Sequence, residues 1–223
     1  MTTYLLNTVF VITMLLLPTI ASAENATPFW PTRDVTVTSA MTNPTQQGPK
    51  TITTTMMYQS AQQRMRINTD IVVAGQPVGY NIIDYKTHKA ITVMPATRMV
   101  METANKKMSI QDTMSDPNVQ KEKVGTSTIA GLSCNIWQIT TKETTGKGCV
   151  TDDGVVLSYE GNMPAGKKSK AQTISMTATS VKYETLPDSL FTPPEGYQAF
   201  SPGDQMKMNM LKNMMKNLNN AKQ

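Results

Sequence analysis

Two cysteines, a single histidine, a doubled aspartate and a crowded run of methionines are the side chains of this 223-residue chain whose types and spacing could do chemistry. Cys134 and Cys149 could form a redox pair. However, they lack C-x-x-C spacing, and no helix start lies nearby to lower a thiol pKa. They also lack metal-ligand spacing, and His88, the lone histidine, gives them little to cooperate with. His88 itself falls in the polar stretch Lys86-Thr87-His88-Lys89, which reads as an exposed turn rather than the seat of a general base. Asp152-Asp153 resembles a carboxylate pair until Gly154 is read with it, and the three together are what a tight hairpin turn demands. No G-x-S-x-G, phosphate-binding loop or dinucleotide fingerprint is present. The expectation is a protein that is not an enzyme and needs no cofactor.

Methionine leaves two readings. Met206, Met208 and Met210 alternate in a pattern of thioethers suited to Cu(I), which makes copper binding the alternative function. Read instead as a helix with Asp204 as its N-cap, residues 201–223 place Met206, Met210, Leu211, Met214 and Leu218 on one broad apolar face, while Met208 projects far around the axis. Methionine repacks at little cost, so this face is expected to contact a ligand or a membrane surface.

The amino terminus sets the compartment. Leu5 to Leu17 is apolar except for Asn7, Thr8 and Thr13, and small residues ending in Ala21-Ser22-Ala23 follow it. That pattern predicts a secretory signal over residues 1–23, cleaved between Ala23 and Glu24, and a periplasmic or secreted protein. The preceding MTTY carries no Lys or Arg, a departure from the usual signal that leaves a retained anchor as the alternative. No cysteine follows the apolar run, so no lipid attachment there is expected. In an oxidising compartment two thiols are expected to be bridged. The net charge of +5, with Lys106-Lys107 and Lys167-Lys168-Ser169-Lys170, favours anionic headgroups or ordinary solvated loops. Nucleic acid is not expected, because the compartment is wrong and aromatic residues are few.

Short runs rich in Thr, Val, Ile and Met dominate after an irregular lead-in over residues 24–32. Strands are predicted at 34–41, 50–58, 63–68, 78–85, 90–94, 97–103, 135–141, 147–151, 155–160 and 171–184, with turns such as Asn43-Pro44 and Gly48-Pro49 between them. Ala104 to Lys123 is polar and reads as a loop with at most one helical turn. The fold class is all-β dominated and antiparallel, one domain over 33–200, followed by a C-terminal α-helix.

Compartment and register disagree over the cysteines. A hairpin turning through Lys142 to Gly146 sets Ile139 opposite Cys149 and leaves Cys134 about 17 Å away along the strand and on the other face. A disulfide cannot span that distance. A two-residue turn at Thr141-Lys142 would set the cysteines opposite each other, but Thr-Lys does not suit a primed turn. The expectation is a disulfide reached through a bulge or a loop folding back.

Three stretches carry a resemblance: GYNIIDYKTHKAITVMPATRMVMET from Gly79, the Gly-Cys-Trp strand and Asp-Asp-Gly turn within Ile129 to Tyr159, and LPDSLFTPPEGYQ from Leu186. Their order is similar to an uncharacterised family of bacterial envelope proteins that resembles the periplasmic lipoprotein carriers and receptors of the LolA/LolB type. The resemblance implies a strongly curved sheet, an incomplete β-barrel around an apolar concavity that holds acyl chains. The carriers place helices across the mouth, whereas this sequence offers one clear helix, at its C-terminus. The expected function is non-enzymatic binding of a lipid, lipoprotein or other hydrophobic envelope ligand. A purely structural envelope role is the further alternative.

Overall fold

The computed structural model describes residues 28–45, 48–73, 75–104, 110–141, 145–163 and 172–200. The expected signal segment with Ala23 and Glu24, and the tail with Met206, Met208, Met210, Leu211, Met214 and Leu218, lie outside them. The expected C-terminal helix therefore lies outside the described residues as well.

Among the described residues, fourteen strands follow in chain order: β1 (Val35–Thr45), β2 (Gly48–Gln59), β3 (Arg64–Thr69), β4 (Val72–Val73), β5 (Gln76–Pro77), β6 (Tyr80–Asp84), β7 (Lys89–Met94), β8 (Met99–Ala104), β9 (Gln120–Ile129), β10 (Leu132–Thr140), β11 (Thr145–Val150), β12 (Val156–Met163), β13 (Gln172–Tyr183) and β14 (Gln198–Phe200). Twelve form one sheet in the order β14-β8-β7-β6-β3-β2-β1-β13-β12-β11-β10-β9, and β4-β5 is a separate ribbon. Every pairing in the large sheet is antiparallel except β14 on β8. The sheet is not closed by hydrogen bonds, yet β9 curls back to contact β13. Register shifts at Thr38/Ser39, Ile136/Trp137 and Cys149/Val150 mark the bulges that bend it.

Period-two alternation explains most of these strands. In β1, Val35, Val37 and Ser39 are buried while the residues between them are half-exposed. The polar stretch expected to be a loop is more ordered than that. A short helix, α1 (Ile110–Ser115), precedes β9, which begins at Gln120 within it. β9 escaped the pattern because it is an edge strand with mostly exposed side chains and no continuous apolar face.

The cysteines form a disulfide, in neither register considered from the sequence. Thr140 pairs with Thr145, Ile139 with Gly146 and Ile136 with Cys149. Relative to a Lys142–Gly146 turn this is a slip of three residues, and an odd slip brings the two cysteines onto one face. Cys134 is then the diagonal neighbour of Cys149, with Cα atoms 5.5 Å apart, inside disulfide range. A bulge does lie beside Cys149, but in the pairing with β12 rather than within the hairpin.

The first wing of the sheet is buried on both faces. Met57, Ile82 and Val93 point away from the main core and are covered by a strap that follows β13, through Leu186 and Phe191. Polar side chains on the sheet hold the strap. The Gln59 amide donates to the Leu186 carbonyl at 3.0 Å and to Asp188, and Arg64 donates to both Gln59 and Asp188. Arg66 donates to the Leu190 carbonyl at 3.0 Å and lies 3.7 Å over the Tyr80 ring. The Leu186 N–H reaches the Asp34 carboxylate at 3.1 Å.

Candidate functional site

Cross-strand register builds the inner face in rows. Val35, Tyr58, Met65, Ile83 and Ala90 stand side by side across β1, β2, β3, β6 and β7, and none is more than 3% exposed. The next row is Val37, Met56 and Ile67. Beyond it come the hydroxyls of Ser39, Thr54 and Thr69, and then Met41 between Ile52 and Met176. The first row is solid core. The other three rows border a cavity of about 250 Å³ that Met65 of the first row, Val156 and Gln111 complete. No charged side chain lines it among the described residues.

The lead-in closes the solid end. Residues 28–32 of it are described, outside any strand or helix, and their aromatic side chains are packed. Trp30 stacks on Tyr58 with ring centres 5.6 Å apart and meets the Tyr85 ring edge-on at 4.4 Å. Phe29 meets Trp137 edge-on at 5.4 Å. The Asp152-Asp153-Gly154 turn holds this segment in place: Thr32 N–H donates to the Asp153 carbonyl at 3.0 Å, and Arg33 donates to its carboxylate at 3.0 Å. Burial pushes Asp153 up, but hydrogen bonds from Thr151, Arg33 and Tyr183 outweigh it and hold the carboxyl below the usual range. Burial, with the Asp34 charge adding to it, pushes the Tyr58 phenol up to about 12.

Helix α1 forms the facing wall. Met114, fully buried, packs with Ile139, Val150 and Val156. Lys121 donates to the carbonyls of Met114 and Asp116 at 3.0 and 2.9 Å, capping the helix end. The same ammonium lies 4.9 Å from the Phe29 ring centre, which ties the helix to the lead-in. Gln111, 5% exposed, donates its amide to the Met56 thioether at 3.3 Å. Sequence reasoning missed Gln111, since a six-residue helix is too short to show periodicity.

Other concavities are of a different kind. An open depression of about 660 Å³ lies at the β7–β8–β14 edge, beside the exposed ion pair of Lys89 and Glu102. His88 lines it, exposed in the β6–β7 turn as expected. A smaller cleft of about 200 Å³ lies between β9 and β13, with Cys149 in its wall. Among the described residues, no three His, Cys, Asp or Glu side chains are grouped to hold a metal, and no helix is long and apolar enough to cross a membrane.

An unclosed, strongly curved antiparallel sheet around an apolar concavity defines the class of protein. The chain belongs to the family described as a domain of unknown function, DUF4412, which matches residues 37–163. No curated protein matches the sequence. Among solved structures, the chain is similar to an uncharacterized conserved protein from Thermus thermophilus at 8% identity and TM-score 0.52, covering 76% of this chain and 91% of that one. It is also similar to MucB, at 10% identity and TM-score 0.51, over 77% of this chain and 61% of MucB. A LolA superfamily protein from Nitrosomonas europaea is a further neighbour, at 10% identity and TM-score 0.41, covering 74% of this chain and 92% of that one. At these identities the likeness is one of fold, carried by the first two.

Proposed function

We propose that the protein is a non-enzymatic component of the bacterial envelope, exported by a cleaved signal, that holds the apolar chain of a lipid, lipoprotein or similar ligand in the concavity beneath α1. One observation carries this reading: the cavity has an apolar row of Val37, Met56 and Ile67, a rim of Met41, Ile52 and Met176 and only hydroxyls between them, with no charge among its described lining residues. Methionine from several strands gives it walls that repack around a flexible chain. At about 250 Å³ it falls just under the roughly 300–1,000 Å³ usual for small-molecule sites. That size suits the end of one acyl chain better than a whole two-chain lipid. His88, the lone histidine, does not line it, which supports binding over catalysis.

The test is non-denaturing mass spectrometry of protein purified from its own cell envelope. The expected result is a chain beginning at Glu24 that carries an added acyl-lipid mass, with the added mass lost in Thr54→Phe, which fills the middle of the floor. A bare polypeptide in both samples would remove the reading, provided that thermal melts show both proteins folded.

A further inference from the structure

Gln111 is the one primary amide on the cavity wall among the described residues, and the acceptor it reaches there is a poor one. Its Nε2 donates to the Met56 sulfur, and a thioether is a weak acceptor. The side chain is buried, so water competes little for that N–H. It is also held in place from behind: Ser115 Oγ donates to the Gln111 carbonyl at 2.7 Å, and Met114 and Lys121 fix the helix that carries it. A buried, pre-positioned donor bonded to sulfur gains from any ligand that offers an oxygen.

Charge narrows the class of ligand further. With no cationic side chain on the wall among the described residues, a carboxylate or phosphate carried into the cavity would be stripped of water with only neutral donors to offset the loss. The buried part of the ligand must therefore be neutral. From these two features, and resting on the function proposed above, we infer that the site selects an acyl chain in ester or amide linkage, with the carbonyl oxygen taking the place of Met56 Sδ as acceptor for Gln111. A hydrocarbon chain would fill the same volume without using the donor, and a free fatty carboxylate would be disfavoured.

The experiment compares three probes of matched chain length, a fatty-acid methyl ester, the parent alkane and the free carboxylate at pH 8. Each displaces a neutral naphthylamine dye from wild-type protein, Gln111→Leu and Met56→Leu. Wild type is expected to prefer the ester over the alkane by about threefold to tenfold, the worth of one hydrogen bond. The carboxylate is expected to bind more weakly than the ester. Gln111→Leu should lose the ester preference while holding the alkane at least as tightly. Met56→Leu, which removes the sulfur and keeps the amide, should retain the preference or increase it. An ester preference that survives in Gln111→Leu overturns this inference and leaves the proposed function standing. Failure of the dye and all probes to bind folded wild type removes both.

Discussion

Gly154 offers the sharpest test of how the closed end of the half-barrel is held. Its φ is +90°, a conformation that costs an L-residue roughly 1–2 kcal/mol. A methyl group there would also run into the backbone carbonyl of Trp30, which a side-chain rotation cannot relieve. Gly154→Ala must therefore push the lead-in away, straining the Thr32–Asp153 hydrogen bond and the seat of Trp30 on Tyr58 and Tyr85. One backbone hydrogen bond is worth about 1 kcal/mol, and an aromatic pair about 0.5–1.5 kcal/mol beyond its burial. With two such pairs, the expected loss is about 3–6 kcal/mol in all. Gly131 supplies the control, because its φ is +79° and nothing stands within 4 Å of an added methyl. Gly131→Ala should cost only the backbone part, about 1–2 kcal/mol. Urea unfolding followed by indole fluorescence reads both, in a Trp137→Phe background that leaves Trp30 as the only tryptophan. Equal losses at the two glycines, with an unshifted Trp30 emission, would refute the claim that the Asp-Asp-Gly turn positions the lead-in.

Two further outcomes follow from the same framework. Replacing Cys134 and Cys149 together by alanine opens a loop of 15 residues and should cost about 3 kcal/mol by the chain-entropy argument; an unchanged denaturation midpoint in oxidising buffer would contradict the bridge. Tyr58 keeps its proton in the folded state up to about 12, whereas the unfolded chain ionises near 10, so the folded state binds more protons in that interval. This contribution to stability is complete below about pH 10 and is lost as pH rises to about 12. Tyr58→Phe should flatten that part of the alkaline stability curve relative to wild type, and an identical curve would show that the phenol is not buried.

The strands were legible because alternation is a strong signal where one face is buried and the other wet, as in Val35-Thr36-Val37. At Met56-Met57 the expected strand is present, but alternation gives no sign of which face each side chain takes. Both side chains are inward in a physical sense, Met56 toward the cavity and Met57 toward the strap, and a sequence shows no period where both faces are covered. The strap was visible as LPDSLFTPPEGYQ, but its role depends on Gln59, Arg64 and Arg66, more than a hundred residues away. The disulfide followed from compartment, while its register turned on a hairpin loop without a primed-turn signature. The cavity's polar contact was hidden most completely, since nothing in Ile110–Ser115 distinguishes Gln111 from any exposed glutamine until the helix is seen against β2.

If the cavity holds an acyl chain as proposed, the four rows also limit where that chain can go. Behind the floor lies the strap core of Met57, Ile82 and Phe191, and a close-packed interior does not open by a methylene without cost. At the solid end, Val35 and Tyr58 are buried and Trp30 stacks on Tyr58, so that end is closed beyond Met65. Two boundaries remain. One is α1, a helix of six residues tied down through Met114 and Lys121. The other is the outer row of Met41, Ile52 and Met176, which has no further row of floor beyond it in the cavity among the described residues. On that reading a chain too long for about 250 Å³ leaves past that row, because displacing α1 would also expose the Met114 side chain and free the carbonyls that Lys121 caps. The proposed function then puts the polar head of such a ligand outside the sheet, at the rim where Met41 meets Met176, with only its neutral part held within.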